Sequence, residues 1–265
     1  MLNFKDLKKT FIIAEISANH GQDFDRAAAL IKKARECGAD AVKFQTYTAD
    51  TLTIDCSDKY FMVDHPQWGG QSLYELYKKA CTPWSWFPAL KKIARKNRII
   101  LFSTVFDRSS VDAMEDLDMP LYKIASFELV DLPLIKYVAK TGKPLIMSTG
   151  MATRREIEEA VDTARHAGAR NVALLKCVSS YPADPSEMNL RTIPHMRKLF
   201  NVPVGISDHT LGSCVSVAAV TLGAAVVEKH FTLARRLRTP DGFFSVEPDE
   251  LKMLVNDVRT AEKAV

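Results

Sequence analysis

The sequence of 265 residues contains little cysteine, no long apolar run and no block of basic residues. Its five cysteines include no CxxC pair and are odd in number, which predicts reduced, structural thiols rather than a disulfide framework. The net charge of +4 is spread among mixed charges, so neither a nucleic-acid surface nor a polybasic membrane surface is expected. No stretch approaches the roughly 18 apolar residues that span a bilayer, and the first residues lack the apolar core of a signal peptide. We therefore expect a cytoplasmic protein.

Glycine-rich nucleotide motifs are missing as well. Neither GxGxxG nor GxxxxGK occurs in the sequence, so we expect neither a dinucleotide-binding fold nor a nucleotide-phosphate loop. The informative signals are the spacing of apolar residues and the polar residues that follow each apolar run.

Apolar runs rich in β-branched residues recur at regular intervals. They cover residues 11–16, 39–46, 99–104, 121–126, 144–149, 171–177, 202–207 and 224–231. The segments between them place apolar residues three and four apart, which is typical of amphipathic helices. Helix starts are indicated by Asp131, Thr153 and Ser213, and helix ends by Gly38, Gly142, Gly168 and Gly223. Eight strand and helix pairs predict an α/β fold, a (β/α)8 TIM barrel that forms a single domain over residues 1–265.

One connection is much longer than the others. Residues 47–83, after the second strand, are rich in Asp, Gly, Thr and aromatic residues. A loop of this length in a compact domain is usually a lid or a binding loop, although a structural flap or an oligomer contact is the alternative.

Polar residues follow every predicted strand. In a TIM barrel these positions ring the mouth where active sites are built. Burying unpartnered polar groups costs about 2 kcal/mol or more each, so a purely structural explanation would have to offset that cost at every strand. The sequence therefore predicts a functional site at the C-terminal ends of the strands.

Two histidines stand at matching positions on neighbouring strands. His209 lies in SDHT and His230 lies in EKHF, and strand alternation turns Ser207, His209, Glu228 and His230 inward. Two imidazoles at the same depth predict an open divalent-metal site, which suits an exchangeable ion such as Mn²⁺ better than closed tetrahedral zinc. Such an ion would polarise a carbonyl group. The alternative is a pair of hydrogen-bonded core histidines.

Lysines and hydroxyl groups share the predicted mouth. Lys43 and Lys123, with nearby serines and threonines, suit a phosphate and a carboxylate, whereas Lys176 has the pattern of a lysine extending from the barrel rim. Glu15 follows the first strand and is either a general base or the structural partner of Lys43.

Several strand ends together resemble a known family. The stretches AEISANH, AVKFQTYT, FSTVFD, YKIASFE, STGMAT, SSYPA, GISDHTLG and VEKHFTL are similar to those of the sialic acid synthase family, from about residue 10 onward. Within that family the sequence is most similar to pseudaminic acid synthases. The resemblance implies condensation of phosphoenolpyruvate with an open-chain amino sugar, a homodimer, and bound Mn²⁺ or Mg²⁺.

The resemblance also implies residue roles. His209 and His230 match the metal ligands, and Glu15, Lys43, Lys123 and Tyr181 match catalytic positions. The residues that match substrate-binding positions are Gln45, Thr104, Ser126, Glu128, Ser148, Ser179, Ser207 and Asp241. Lys43, Thr104, Lys123, Ser126, Ser148 and Ser207 are expected on the phosphoenolpyruvate side, and Glu15, Gln45, Glu128, Tyr181 and Asp241 on the sugar side.

The sequence departs from the family pattern in places. Ser179 stands where neuraminate-forming relatives tend to have Asn, which argues against plain N-acetylmannosamine as the sugar, and the segment ARRLRTPDG differs from the glycine-rich stretch expected before Pro240. Family members usually continue into an antifreeze-like domain, whereas this sequence ends at Val265. Whether that domain is absent, removed or supplied by another chain stays open.

The resemblance implies a pseudaminic acid synthase acting on 2,4-diacetamido-2,4,6-trideoxy-altrose, with N-acetylneuraminate or legionaminate synthase as the alternatives. A different enzyme class, a Schiff-base aldolase using Lys123 or Lys176, also fits lysines at strand ends. A non-catalytic barrel that binds sugar acids is a third class.

Overall fold

The computed structural model describes residues 2–265, and eight parallel strands form its centre. They are β1 (Phe11–Glu15), β2 (Ala41–Thr46), β3 (Ile100–Val105), β4 (Tyr122–Ile124), β5 (Leu145–Ser148), β6 (Val172–Cys177), β7 (Val204–Asp208) and β8 (Val226–His230). Each strand pairs with its neighbours in sequence, and β8 pairs with β1, so the sheet closes. The predicted single-domain (β/α)8 barrel is confirmed.

Helices surround the barrel and connect successive strands. They are α1 (Phe24–Glu36), α2 (Ala49–Leu52), α3 (Leu73–Ala80), α4 (Phe87–Lys96), α5 (Arg108–Asp116), α6 (Leu132–Ala139), α7 (Arg154–His166), α8 (Thr192–Phe200), α9 (Cys214–Thr221) and α10 (Pro248–Ala264). No helix within residues 2–265 is both long enough and apolar enough to cross a membrane.

The predicted helix boundaries follow local chemistry. Thr153 accepts a hydrogen bond from the Glu156 N–H in a capping box, and Asp131 accepts one from Leu134 N–H. Gly168 follows α7 with φ of +105°, a left-handed conformation that favours glycine. Ser213 is the exception: it precedes α9, but its hydroxyl donates to Asp257 Oδ2 at 3.3 Å instead of capping the helix.

Side-chain alternation divides the barrel interior into two levels. Ile13, Phe102, Ile146, Leu175 and Val226 belong to a buried apolar cluster in the lower part of the barrel. All but Leu175, which precedes Cys177, lie two residues before a polar residue on the same strand and therefore on the same face. Apolar side chains thus fill the barrel interior toward the N-terminal ends of the strands, and the polar side chains lie at the C-terminal ends.

The long connection after β2 carries its own structure. It contains α2 and α3 and a short bridge between Met62 and Ser72. Trp68 donates its indole N–H to the carbonyl of Pro240 at 2.6 Å, which ties this loop to the β8–α10 connection. The loop therefore lies over the mouth of the barrel beside the last connection.

Candidate active site

A cleft opens at the C-terminal end of the barrel. Nearly all of the predicted site residues line it: Glu15, Lys43, Gln45, Thr104, Lys123, Ser126, Ser148, Ser179, Tyr181, Ser207, His209 and His230. Glu128 and Asp241 lie outside this lining. The closed, parallel pairing brings together residues from both ends of the chain, because Glu15 of β1 is the register partner of His230 of β8.

Four buried charged groups form the centre of the cleft. Lys43 Nζ lies 2.9 Å from Glu15 Oε2 and 3.6 Å from Glu228 Oε2, while Lys123 Nζ lies 3.7 Å from Glu228 Oε1. Lys43 also donates to Thr104 Oγ1 at 2.7 Å. All four charged side chains are at most 4% exposed. We call Glu15, Lys43, Lys123 and Glu228 the charge network.

The two carboxylates of the charge network have different environments. Burial raises the pKa of Glu15 to about 7, with the charge of Glu228 adding to the effect and Lys43 opposing it. Burial also raises the pKa of Glu228, but Lys123 and Lys43 outweigh it and hold that pKa below its usual range. Near neutral pH the Glu15 carboxyl is therefore partly protonated and offsets the charge of Lys43 only in part.

The two lysines also differ from each other. Burial lowers the pKa of Lys43, but its contacts with Glu15 and Glu228 raise it above the usual value. Burial lowers the pKa of Lys123, and the single neighbouring carboxylate of Glu228 only partly offsets this. Lys43 is thus the more firmly charged of the two. Lys176 is half-buried outside the cleft, where its ammonium donates to the Cys177 carbonyl at 3.1 Å, as a rim lysine would.

The two predicted histidines converge. Their ring centroids are 5.4 Å apart. His209 Nδ1 lies 2.8 Å from the Val178 carbonyl oxygen and must donate to it, while its Nε2 lies 3.4 Å from Ser207 Oγ. His230 Nδ1 is buried and finds no hydrogen-bond partner among the described residues 2–265, and it lies 3.9 Å from Asp241 Oδ2.

The histidines fit an open divalent-metal site. Burial, with the charge of His209, holds the pKa of His230 well below its usual value, so that ring is the neutral form that binds metals. A carbonyl that orients one ligand ring, as Val178 does, is the usual support of a metal-binding histidine. Residues 2–265 contain no group of three or more His, Cys, Asp or Glu with metal-binding geometry. Water or substrate oxygen would have to complete the coordination.

Aromatic rings form the wall beside the histidines. The Tyr181 ring centroid lies 4.3 Å from that of His209 and 5.1 Å from that of Phe244. Trp68 of the long loop packs on the other side of Tyr181 at 5.9 Å. The long loop thus supports the ring that borders the predicted metal site.

The two predicted residues outside the lining are close by. Asp241 is held by the Ala18 N–H, which donates to Oδ2 at 3.2 Å, and burial raises the pKa of this carboxyl. Burial raises the pKa of Glu128 to about 7, and its Oε2 accepts no hydrogen bond from the part of the chain that the structure describes.

Comparison with known proteins assigns the family. The NeuB family model matches residues 30–265. The chain belongs to the NeuB family. It is 41% identical to the pseudaminic acid synthase of Helicobacter pylori over 96% of this chain and 75% of that protein. It is 40% identical to the N,N'-diacetyllegionaminic acid synthase of Campylobacter jejuni over 98% of this chain and 78% of that protein.

A solved structure supports the same assignment. The N-acetylneuraminic acid synthetase of Leptospira borgpetersenii superposes with a TM-score of 0.88 and 32% sequence identity, over 97% of this chain and 85% of that one. The resemblance drawn from the strand-end motifs is confirmed, and with it the interpretation of this NeuB-family protein as an enzyme rather than a non-catalytic barrel.

Sequence reasoning missed four residues that line the cleft of this NeuB-family enzyme, namely Ala125, Phe127, Cys177 and Glu228. Glu228 was expected to face inward but was given no role, although it contacts both lysines. The sequence predicts a structural thiol at Cys177; burial raises its pKa, but the neighbouring His209 outweighs this and lowers the pKa to about 7. Phe127 borders the cleft with 62% of its surface exposed. The alternation of side chains could have indicated Cys177, because it lies two residues before Ser179 and therefore on the same face.

Glu128→Gln tests the burial of the Glu128 carboxyl. The folded pKa of about 7 lies above the usual 4.5, so the native state binds the proton more tightly. The contribution of Glu128 to the free energy of unfolding is therefore greatest at low pH and decreases as pH rises from about 5 through about 7. Urea unfolding should show that the free energy of unfolding decreases from pH 5 to pH 8 by less in the variant than in wild type. The difference should be on the order of 2 kcal/mol.

The exposed Glu187→Gln variant is the matched control and should keep the wild-type pH dependence. If the free energy of unfolding decreased equally from pH 5 to pH 8 in wild type and Glu128→Gln, the Glu128 carboxyl would not have the raised pKa.

Proposed function

We propose that this NeuB-family enzyme condenses phosphoenolpyruvate with open-chain 2,4-diacetamido-2,4,6-trideoxy-altrose to form pseudaminic acid and releases phosphate by C–O cleavage. The observation that carries the proposal is the charge network in one cleft with two converging imidazoles. The name of the Helicobacter pylori relative supports pseudaminic acid as the product. The Campylobacter jejuni relative, at nearly the same identity, makes legionaminate the alternative product.

The side of the cleft formed by β2 to β5, together with Ser207 of β7, suits the phosphate and carboxylate of phosphoenolpyruvate. Lys43 and Lys123 supply charge, and Thr104, Ser126, Ser148 and Ser207 supply hydroxyl groups. Ser148 Oγ is buried without a hydrogen-bond partner in residues 2–265, so it is free to donate to a ligand oxygen. Ser126 Oγ accepts a hydrogen bond from Gly150 N–H at 3.2 Å, so the hydroxyl proton of Ser126 points to another acceptor. Charge-assisted bonds of this kind are the strong ones for anions.

The β7 and β8 side suits the metal and the sugar aldehyde. His209 Nε2 and the His230 ring would hold Mn²⁺ or Mg²⁺, which are expected to leave several positions for oxygen ligands. A bound ion would polarise the aldehyde carbonyl. Tyr181 borders the same space, and burial raises the pKa of its hydroxyl, so it stays protonated and can donate a hydrogen bond to the sugar.

The chemistry then follows from position. C3 of phosphoenolpyruvate attacks the aldehyde carbon, whose oxygen takes up a proton, and C2 becomes an oxocarbenium centre. Water adds to C2 while Glu15 removes a proton from that water molecule. The tetrahedral product then loses phosphate by cleavage of the bond between C2 and the phosphate ester oxygen. The Glu15 pKa of about 7 suits a general base, and Gln45 Nε2 orients its carboxylate at 2.8 Å. Holding both substrates in one cleft supplies a large part of the acceleration.

Exposed apolar side chains support a homodimer. Phe127, Met151 and Leu211 follow β4, β5 and β7 at the mouth and are each more than 60% exposed. Isolated exposed apolar residues are ordinary, but several around one opening are typical of a surface that another chain or domain covers.

His230→Ala should abolish turnover. The variant removes one of two nitrogen ligands, so phosphate release from phosphoenolpyruvate with the diacetamido sugar and Mn²⁺ should fall at least about 100-fold. His195→Ala, which changes an exposed histidine on α8, is the control and should keep wild-type turnover. Circular dichroism should show both variants folded. Wild-type turnover in His230→Ala, with unchanged metal dependence, would contradict the assigned role.

A Schiff-base aldolase is the second candidate because burial lowers the pKa of Lys123, which favours its nucleophilic amine form. Borohydride added during turnover should trap no substrate on Lys123 or Lys176, since Lys123 faces the Glu228 carboxylate and Lys176 lies outside the cleft. Activity should disappear in chelator and return with Mn²⁺. A lysine adduct found by peptide mass analysis, together with activity in chelator, would favour the aldolase.

A further inference from the structure

A buried ion pair lies behind the two histidines, on the outer face of β7 and β8. Lys229 Nζ is 2.9 Å from Asp208 Oδ2, and both side chains are at most 1% exposed. The two residues are register partners in the β7–β8 ladder. Each immediately precedes one of the histidines, so the pair joins the two strands at the last position before the imidazoles.

The ion pair also holds the residue on the far side of His209. Asp208 Oδ1 accepts hydrogen bonds from Thr210 N–H at 2.9 Å and from Thr210 Oγ1 at 2.7 Å. Lys229 donates to the Thr210 carbonyl, and Ser216 of α9 donates to Asp208 Oδ2 at 2.6 Å. The backbone on both sides of His209 is therefore fixed to β8 and to α9.

His209 needs this support more than His230 does. His230 lies within β8 and is paired in register with Glu15 of β1. His209 follows the last residue of β7, and the β7–β8 ladder ends at Asp208 and Lys229. Apart from the bond that its carbonyl accepts from Ala183 N–H, its backbone position depends on the neighbouring Asp208 and Thr210.

We propose that Asp208 and Lys229 are positioning residues that set the separation of the His209 and His230 rings for binding a divalent cation. The inference rests on the proposed function, because it assumes that the two rings share a metal. A buried ion pair is a poor source of stability but defines one geometry, since both groups must meet their partners at once. Residues that orient metal ligands typically change metal affinity by roughly 10- to 100-fold when they are replaced.

Mn²⁺ titration of the full chain without substrates tests the proposal. Free Mn²⁺ is followed by its electron paramagnetic resonance signal for wild type, Lys229→Met and the control Asp40→Asn. Asp40 forms a similar cluster at the other end of the barrel, where its carboxylate contacts Arg259 at 2.9 Å and Lys9 at 2.7 Å. Lys229→Met should weaken Mn²⁺ binding roughly 10- to 100-fold, whereas Asp40→Asn should change it less than about twofold, although both lower the melting temperature.

A second variant tests the proposal if Lys229→Met does not fold. Asp208→Asn keeps an acceptor for Thr210 but replaces Oδ2, the acceptor of Lys229 and Ser216, by an amide nitrogen, and it should weaken Mn²⁺ binding in the same direction. Unchanged Mn²⁺ affinity in a folded variant, with wild-type binding intact, overturns the positioning role and leaves the proposed function standing. A wild type that binds no Mn²⁺ overturns both the metal role of the histidines and this inference.

Discussion

The structure depends on four charged side chains that are held out of water inside the barrel mouth. Moving single charges to such a place costs several kcal/mol each unless opposite charges and hydrogen bonds meet them with good geometry. Lys43 and Lys123 meet Glu15 and Glu228 within 2.9 to 3.7 Å. Removing one member would leave its partner uncompensated, so the four groups constrain one another and the strands that carry them.

Parallel pairing places these groups at one level. Glu15 is the register partner of Lys43, Thr104 of Lys123, and Ser207 of Glu228. Because side chains alternate along each strand, a shift by one residue would turn the charges into the outer apolar layer and bring hydrocarbon into the mouth. The same register brings the histidines together on β7 and β8. The groups proposed to bind the anion and the metal thus share one cleft as a consequence of strand order.

Much of this arrangement could be predicted from the sequence, because it depends on local patterns. Eight apolar runs, each followed by polar residues, and the period of two along each strand were sufficient to indicate the barrel and to turn His209 and His230 inward. Family resemblance then supplied residue roles. The contact of Glu228 with both lysines was not predictable, since it depends on side chains from three separate strands. For Ser213 the sequence predicts a helix cap that the structure does not contain, because its hydroxyl donates to Asp257 on α10 instead.

Phosphoenolpyruvate binding by Lys123→Met tests the central claim most directly, because this change removes one ammonium from the charge network and keeps the length of the side chain. Isothermal titration should show binding weakened roughly 10- to 100-fold, the loss expected for a buried charge-assisted contact. Lys176→Met, which alters a lysine outside the cleft, should bind like wild type. Equal affinity in wild type and Lys123→Met would contradict the claim that these buried charges receive the anion.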